Sequence, residues 1–143
     1  PILLGVESQV TKLTSLPNVF HLPAVSYDRL PGILRQFRVG LIPFKYNELT
    51  RGVNPNKMYE YLACGLPVVA TRFSTEVDKY PDLVKAVEPG EEFASACEQF
   101  LVRQSDSGRA AALAEDARQI ARGNDWDVIA STFWRRVREL GNP

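Results

Sequence analysis

Residues 54–71 constrain the fold more than any other stretch, because they mark both ends of a short helix and then a buried strand. Asn54 is a good N-cap, Pro55 suits the first helical position, where its missing N–H costs nothing, and Gly65 can adopt the left-handed conformation that ends a helix. Pro67, Val68, Val69 and Ala70 follow as a compact apolar run. Such runs occur in strands covered on both faces, as in parallel sheets.

On this reading Lys57 occupies the third helical position, where a Glu or Gln would complete a capping box and suit the positive end of the dipole. A cation there costs about 0.3–1 kcal/mol on the surface, and a bound phosphate turns that cost into a gain. Glu60 lies three residues further along the same face. A lone phosphate gains nothing from a carboxylate, whereas a nucleotide does, because its ribose offers hydroxyl donors close to its phosphates. The same two residues also fit a surface ion pair on an amphipathic helix, a common and weak arrangement.

The remaining pattern alternates. Strands are expected over residues 2–6, 19–22, 39–43, 68–71 and 83–87. Between them come a polar turn with a short helix, a helix over 27–37 with Leu30, Ile33, Leu34 and Phe37 at helical spacing, the helix just described, and a short helix after Ser74. This alternation predicts an α/β fold, a Rossmann-like parallel sheet with helices on both faces, whose ligands sit at the carboxyl ends of strands. The last third reads as a helical tail. Residues 91–104 place Phe93, Cys97, Phe100 and Leu101 on one side, residues 107–122 are Ala-rich, and a final helix begins at an Asp125 cap. Its Trp126, Ile129, Phe133, Val137 and Leu140 recur every three or four residues and read as core. Gly123 and Asn124 form a turn, and no repeat or low-complexity linker interrupts the chain.

A length of 143 residues, 45% of them hydrophobic, predicts one globular domain spanning residues 1–143. Seventeen acidic and seventeen basic residues balance, so no global field draws in nucleic acid. Nothing reads as a signal peptide, and no apolar run approaches the roughly 20 residues of a membrane-spanning helix. Cys64 and Cys97 are distant and lack ligand spacing, so they read as free thiols in a reducing, cytoplasmic compartment.

The run from Glu60 to Val69, a glutamate, apolar residues, a small residue, Gly65, Leu66, Pro67 and Val68, resembles the donor-binding motif of the group 1 retaining glycosyltransferases of the GT-B fold. The upstream text is similar too. Asn18-Val19-Phe20-His21-Leu22, then Tyr27-Asp28-Arg29-Leu30-Pro31, resemble a strand and helix of that domain, and Val39-Gly40-Leu41-Ile42-Pro43-Phe44 resembles the strand that delivers the donor loop.

The resemblance implies the C-terminal, donor-binding half of a GT-B enzyme, a metal-independent, hexosyltransferase-like protein of glycan, polysaccharide or glycolipid synthesis. Glu60 would bind the ribose hydroxyls. The backbone amides of the loop through Gly52, Val53, Asn54 and Asn56 would face the diphosphate or sugar, with Lys57 as phosphate cation. Ala24, Val25 and Ser26 would lie near the base by fold analogy. One departure concerns chemistry: the family often carries a second glutamate eight residues before the first, and here that position is Gly52. Glu48 is close but wrongly spaced, and no residue is assigned a catalytic role. The substrate would be a nucleotide-diphosphate sugar, with no cofactor and no metal. The partner would be an N-terminal acceptor domain in the same or another chain, with peripheral membrane association of the full enzyme. This half alone is expected to bind its donor without useful turnover.

Other readings fare less well on the residues. Asp125-Trp126-Asp127 has the D-x-D pattern of metal-dependent transferases but sits at a helix start, where aspartates cap. His21 is the only histidine, which excludes a histidine-based triad or multi-histidine metal site, and a nucleotide-sugar epimerase of the same architecture needs more acids and histidines. No phosphate-loop or dinucleotide fingerprint is present. A noncatalytic Rossmann-like interaction domain of receiver type would need an acidic cluster after the first strand, where Glu7 stands alone.

Overall fold

A computed structural model describes residues 1–4, 13 and 15–141. The chain forms two compact units, Pro1–Ile33 and Leu34–Pro143. In the first, β1 (Ile2–Leu4) and β2 (Phe20–Leu22) pair in parallel, with Leu3 opposite His21. The polar turn and short helix expected between them, residues 5 and 6 of the expected strand, and Glu7 lie mostly outside the described residues. A 3-10 turn, Tyr27–Arg29, runs into α1 (Leu30–Leu34).

The expected helix over 27–37 therefore stops early. Pro31 supplies no amide and Gly32 costs about 1 kcal/mol against alanine in a helix. The chain leaves through a turn in which the Phe37 amide donates to the Leu34 carbonyl at 2.9 Å.

The second unit holds β3 (Gly40–Ile42), β4 (Val68–Thr71) and β5 (Val84–Val87), a parallel sheet in that order. Gly40 pairs with Val68 and Val68 with Val84. Helices α2 (Glu48–Arg51) and α3 (Asn56–Ala63) connect β3 to β4, and a 3-10 turn, Thr75–Asp78, precedes β5. Then come α4 (Glu91–Arg103), α5 (Ser107–Gly123) and α6 (Trp126–Leu140).

Every residue of β4 is buried, and its alternating side chains divide two cores. Val68 and Ala70 pack with Met58 and Leu62 of α3, Phe73, Val77 and Ala117 of α5. Val69 faces the other way, onto Ala96 and Phe100 of α4. The sheet thus has helices on both faces, the α/β, Rossmann-like architecture expected of a GT-B half. Within α4 the inward stripe is Phe93, Ala96, Cys97 and Phe100, and Leu101 turns out to solvent.

The final helix corrects the sequence reading. Asp125 caps α6, accepting from the Asp127 amide at 2.9 Å, which accounts for the D-x-D pattern. No residue of α6 is buried, and Trp126, Ile129, Phe133, Val137 and Leu140 are all exposed. Periodicity places these side chains on one face; nothing among the described residues covers that face enough to make it core.

Two predictions follow from these positions. Gly65 has φ +80°, and an added Cβ would stand 2.7 Å from Arg118 Nη1 and 3.1 Å from Ala114 Cβ. Gly65→Ala is therefore expected to lower unfolding free energy in urea by at least about 1–2 kcal/mol. An unchanged midpoint and slope would refute it. Both tryptophans lie on α6, Trp126 73% and Trp134 58% exposed. The native protein should emit close to tryptophan in water and be quenched by acrylamide almost as strongly as the unfolded chain; a blue-shifted, protected emission would show that α6 is covered.

Candidate functional site

The site grows from the end of β3. After Ile42 the chain passes through Pro43 to a half-buried Phe44, whose ring packs on Phe73 at 5.0 Å between centroids. Asn47 then opens α2 with a reciprocal cap: the Thr50 amide donates to Asn47 Oδ1, and the Asn47 amide to Thr50 Oγ1, each at 2.9 Å. This helix was not anticipated. Its signal in the sequence is the three-residue spacing of Asn47 and Thr50, a capping box with threonine in the place of the usual glutamate. Glu48 occupies its first turn, where a carboxylate suits the dipole.

Gly52 is the C-cap of α2, exposed, with φ −100° and open space where a Cβ would stand. Its amide and that of Val53 both donate to the Thr50 carbonyl. Val53 packs its side chain toward the core around Met58 and Leu62. Asn54 is exposed and Pro55 buried.

The helix start differs by one residue from the expectation. Pro55, not Asn54, is the N-cap, with ψ 108°, and α3 begins at Asn56. A residue before proline is held extended, and here the extended conformation continues through Pro55 itself. Lys57 consequently sits at the second helical position rather than the third. The Met58 amide donates to the Pro55 carbonyl at 2.9 Å. No side chain caps the helix, and the amides of Asn54, Asn56 and Lys57 have no intramolecular acceptor among the described residues. They open to solvent at the positive end of the helix.

Lys57 is exposed and pairs with no carboxylate among the described residues, so the surface ion pair with Glu60 does not form. Glu60 is half-buried one turn on. Burial raises the pKa of the adjacent Tyr61 hydroxyl, with the Glu60 charge adding to it. The Tyr61 ring lies on the backbone of β3: a Cβ on Gly40 would fall 2.4 Å from Tyr61 Cδ2. Gly40 therefore lets α3 approach the sheet. The other end of α3 closes in a Schellman motif, the Gly65 amide donating to the Leu62 carbonyl at 2.9 Å and the Leu66 amide to that of Tyr61 at 3.0 Å. Burial likewise raises the Cys64 and Cys97 thiols. Both cysteines are free.

Gly52, Val53, Asn54, Asn56, Lys57 and Glu60 are thus consecutive parts of one capped loop and one helix. Ala24, Val25 and Ser26 belong to the first unit, directly after β2, where the Ser26 carbonyl accepts from the Arg29 amide at 3.1 Å.

The strand-end loop of this α/β unit thus leads into a helix that carries open amides, a lysine and a glutamate within its first two turns. The chain belongs to the family of group 1 glycosyl transferases, which matches residues 3–104. It is also similar to TuaH of Bacillus subtilis (strain 168), a glycosyltransferase provisionally assigned to teichuronic acid biosynthesis, with 31% identity over 121 residues. That alignment covers 82% of this chain and 30% of TuaH, so the chain spans under a third of that relative's length. No solved structure matches it. Among the described residues no group of His, Cys, Asp and Glu could hold a metal ion, and no helix is long and apolar enough to cross a membrane.

Tyr59 supplies a pH test of the helix. Burial, then the neighbouring Tyr80 and Glu76, push its hydroxyl up to about 12, against a partial lowering by Asn54. The folded state thus favours the neutral phenol. Its contribution is complete below the ordinary tyrosine value of 10.0 and is lost as pH climbs toward about 12. The urea midpoint should fall more steeply between those limits in the wild type than in Tyr59→Phe; parallel falls would exclude Tyr59 as the source.

Proposed function

We propose that this chain is the donor-binding half of a glycosyltransferase that moves a hexosyl unit from a nucleotide diphosphate to a glycan, polysaccharide or glycolipid acceptor. The observation that carries the reading is the start of α3, where amides and a Lys57 without partners among the described residues stand one helical turn from Glu60 in a chain of this family. The amides and Lys57 would take the diphosphate, and Glu60 the ribose hydroxyls. Departure of the diphosphate leaves positive charge on the sugar and negative charge on the leaving group. Donors fixed in advance on the leaving group lower that barrier without reorganising.

This arrangement assigns the charge stabilisation to protein groups and calls on no metal or cofactor. The Gly52 and Val53 amides already serve Thr50, so within the loop the Asn54 and Asn56 amides are the donors without an acceptor among the described residues. Similarity to TuaH supports a product of the teichuronic acid kind. An acceptor domain, in the same or another chain, would complete the site, the whole enzyme acting in the cytoplasm at the membrane surface. This half on its own would bind donor without useful turnover.

Calorimetry against UDP, GDP, ADP and their common sugars tests the reading. One nucleotide should bind, and at about 100 times its Kd should add roughly 2.7 kcal/mol of stability. Glu60→Ala, removing hydrogen bonds to a charged acceptor, should weaken it by roughly 10- to 100-fold. Gly52→Glu, for which the backbone and the surrounding space are permissive, should leave nucleotide affinity unchanged and strengthen only the sugar-bearing ligand. Absence of binding at millimolar concentration, or indifference to Glu60→Ala, would overturn the proposal.

A further inference from the structure

We infer that Thr71 is a positioning residue for the donor loop, an inference that rests on the donor-binding reading of α3. Thr71 is the last residue of β4 and is buried. A buried hydroxyl without a partner is costly, so its choice of acceptor is informative. Thr71 Oγ1 donates to the Phe44 carbonyl, two residues past the end of β3, and lies 3.5 Å from the Ile42 carbonyl on the last residue of that strand. One hydroxyl therefore sits against both the final strand residue and the start of the loop, fixing the direction in which the chain leaves the sheet.

The next carbonyl is held in the same way. Thr50 Oγ1 donates to the Lys45 carbonyl at 2.6 Å, while Thr50 and Asn47 close the cap of α2. A four-residue helix cannot hold itself by its own hydrogen bonds. Its placement comes from these two carbonyl anchors, from Phe44 on Phe73, and from Val53 against the core. Through them the rigid end of β4 sets where Asn54 and Asn56 present their amides. The loop is then ordered before donor arrives, and binding is spared that cost.

Thr71→Val preserves shape and burial but removes the donor, leaving the Phe44 carbonyl without its partner; Thr71→Ser retains it. Hydrogen exchange of the ligand-free protein reads the anchor directly at the bonded amides of Asn47, Thr50, Arg51 and Val53. In Thr71→Val these should exchange roughly tenfold faster relative to amides of β4 and β5, the loss of one hydrogen bond. Nucleotide-sugar Kd should rise by a similar factor, and Thr71→Ser should restore both. Uniformly faster exchange throughout the unit would reduce Thr71 to a structural residue, and unchanged loop exchange would remove the anchor altogether. If the wild type binds no nucleotide sugar, the donor-binding reading fails and the exchange result alone judges the anchor.

Discussion

Met58 and Leu62, one turn apart on α3 and completely buried, lock that helix to β3 and β4, and the candidate site takes its position from this contact. Each such side chain contributes about 1.5–3 kcal/mol on leaving water, more than any hydrogen bond at the exposed end of the helix. The glycines on either side make the contact close. Gly40 admits the Tyr61 ring onto the backbone of β3, and Gly65 turns the chain abruptly enough for β4 to begin three residues later. With its inner face and its C-terminus committed, α3 has one end left to offer, and there the amides, Lys57 and Glu60 meet solvent.

That end is polar without being strained. Proline at the cap withholds a side-chain acceptor, yet the open amides are exposed and water can satisfy them at little cost. An anion replaces that water with favourable charge and an organised set of donors. On the proposed reading, Glu60 would keep the site from being a general anion sink, since a carboxylate one turn away repels simple phosphate and suits a ligand that brings hydroxyls. The loop before α3 complements this design by relying on carbonyl anchors instead of bulk. Phe44 and Val53 are partly buried apolar contacts of this loop with the core, and threonine hydroxyls hold the two carbonyls at its start.

The exposed face of α6 shows how far periodicity reaches. Trp126, Ile129, Phe133, Val137 and Leu140 share a face because 3.6 residues make a turn, and the Asp125 cap fixes where the helix begins. Neither property says what lies opposite. The apolar stripe of α4 is just as regular, and its Ala96 and Phe100 are buried because Val69 and the outer face of β4 are there to receive them.

What the sequence determined by itself was local and periodic: the two ends of α3 to within a residue, the cap at Asp125, the helical turn after Ser74, the fully buried β4, and the alternation that dictates parallel strands with helices on both faces. These follow from backbone preferences and burial patterns that neighbouring residues specify. The exposure of α6 depended on what the rest of the described chain leaves uncovered, whereas the one-residue shift from Asn54 to Pro55, the short helix at 48–51 and the early end of α1 rest on local signals that apolar periodicity does not carry. Only tertiary structure could bring the Thr71 hydroxyl to Phe44, the Tyr61 ring to Gly40 and the Val53 side chain to the core, because no local rule couples residues so far apart along the chain. That Lys57 and Glu60 share one end of a short helix was legible from spacing, whereas which amides beside them lack an acceptor among the described residues was settled by the fold of the loop.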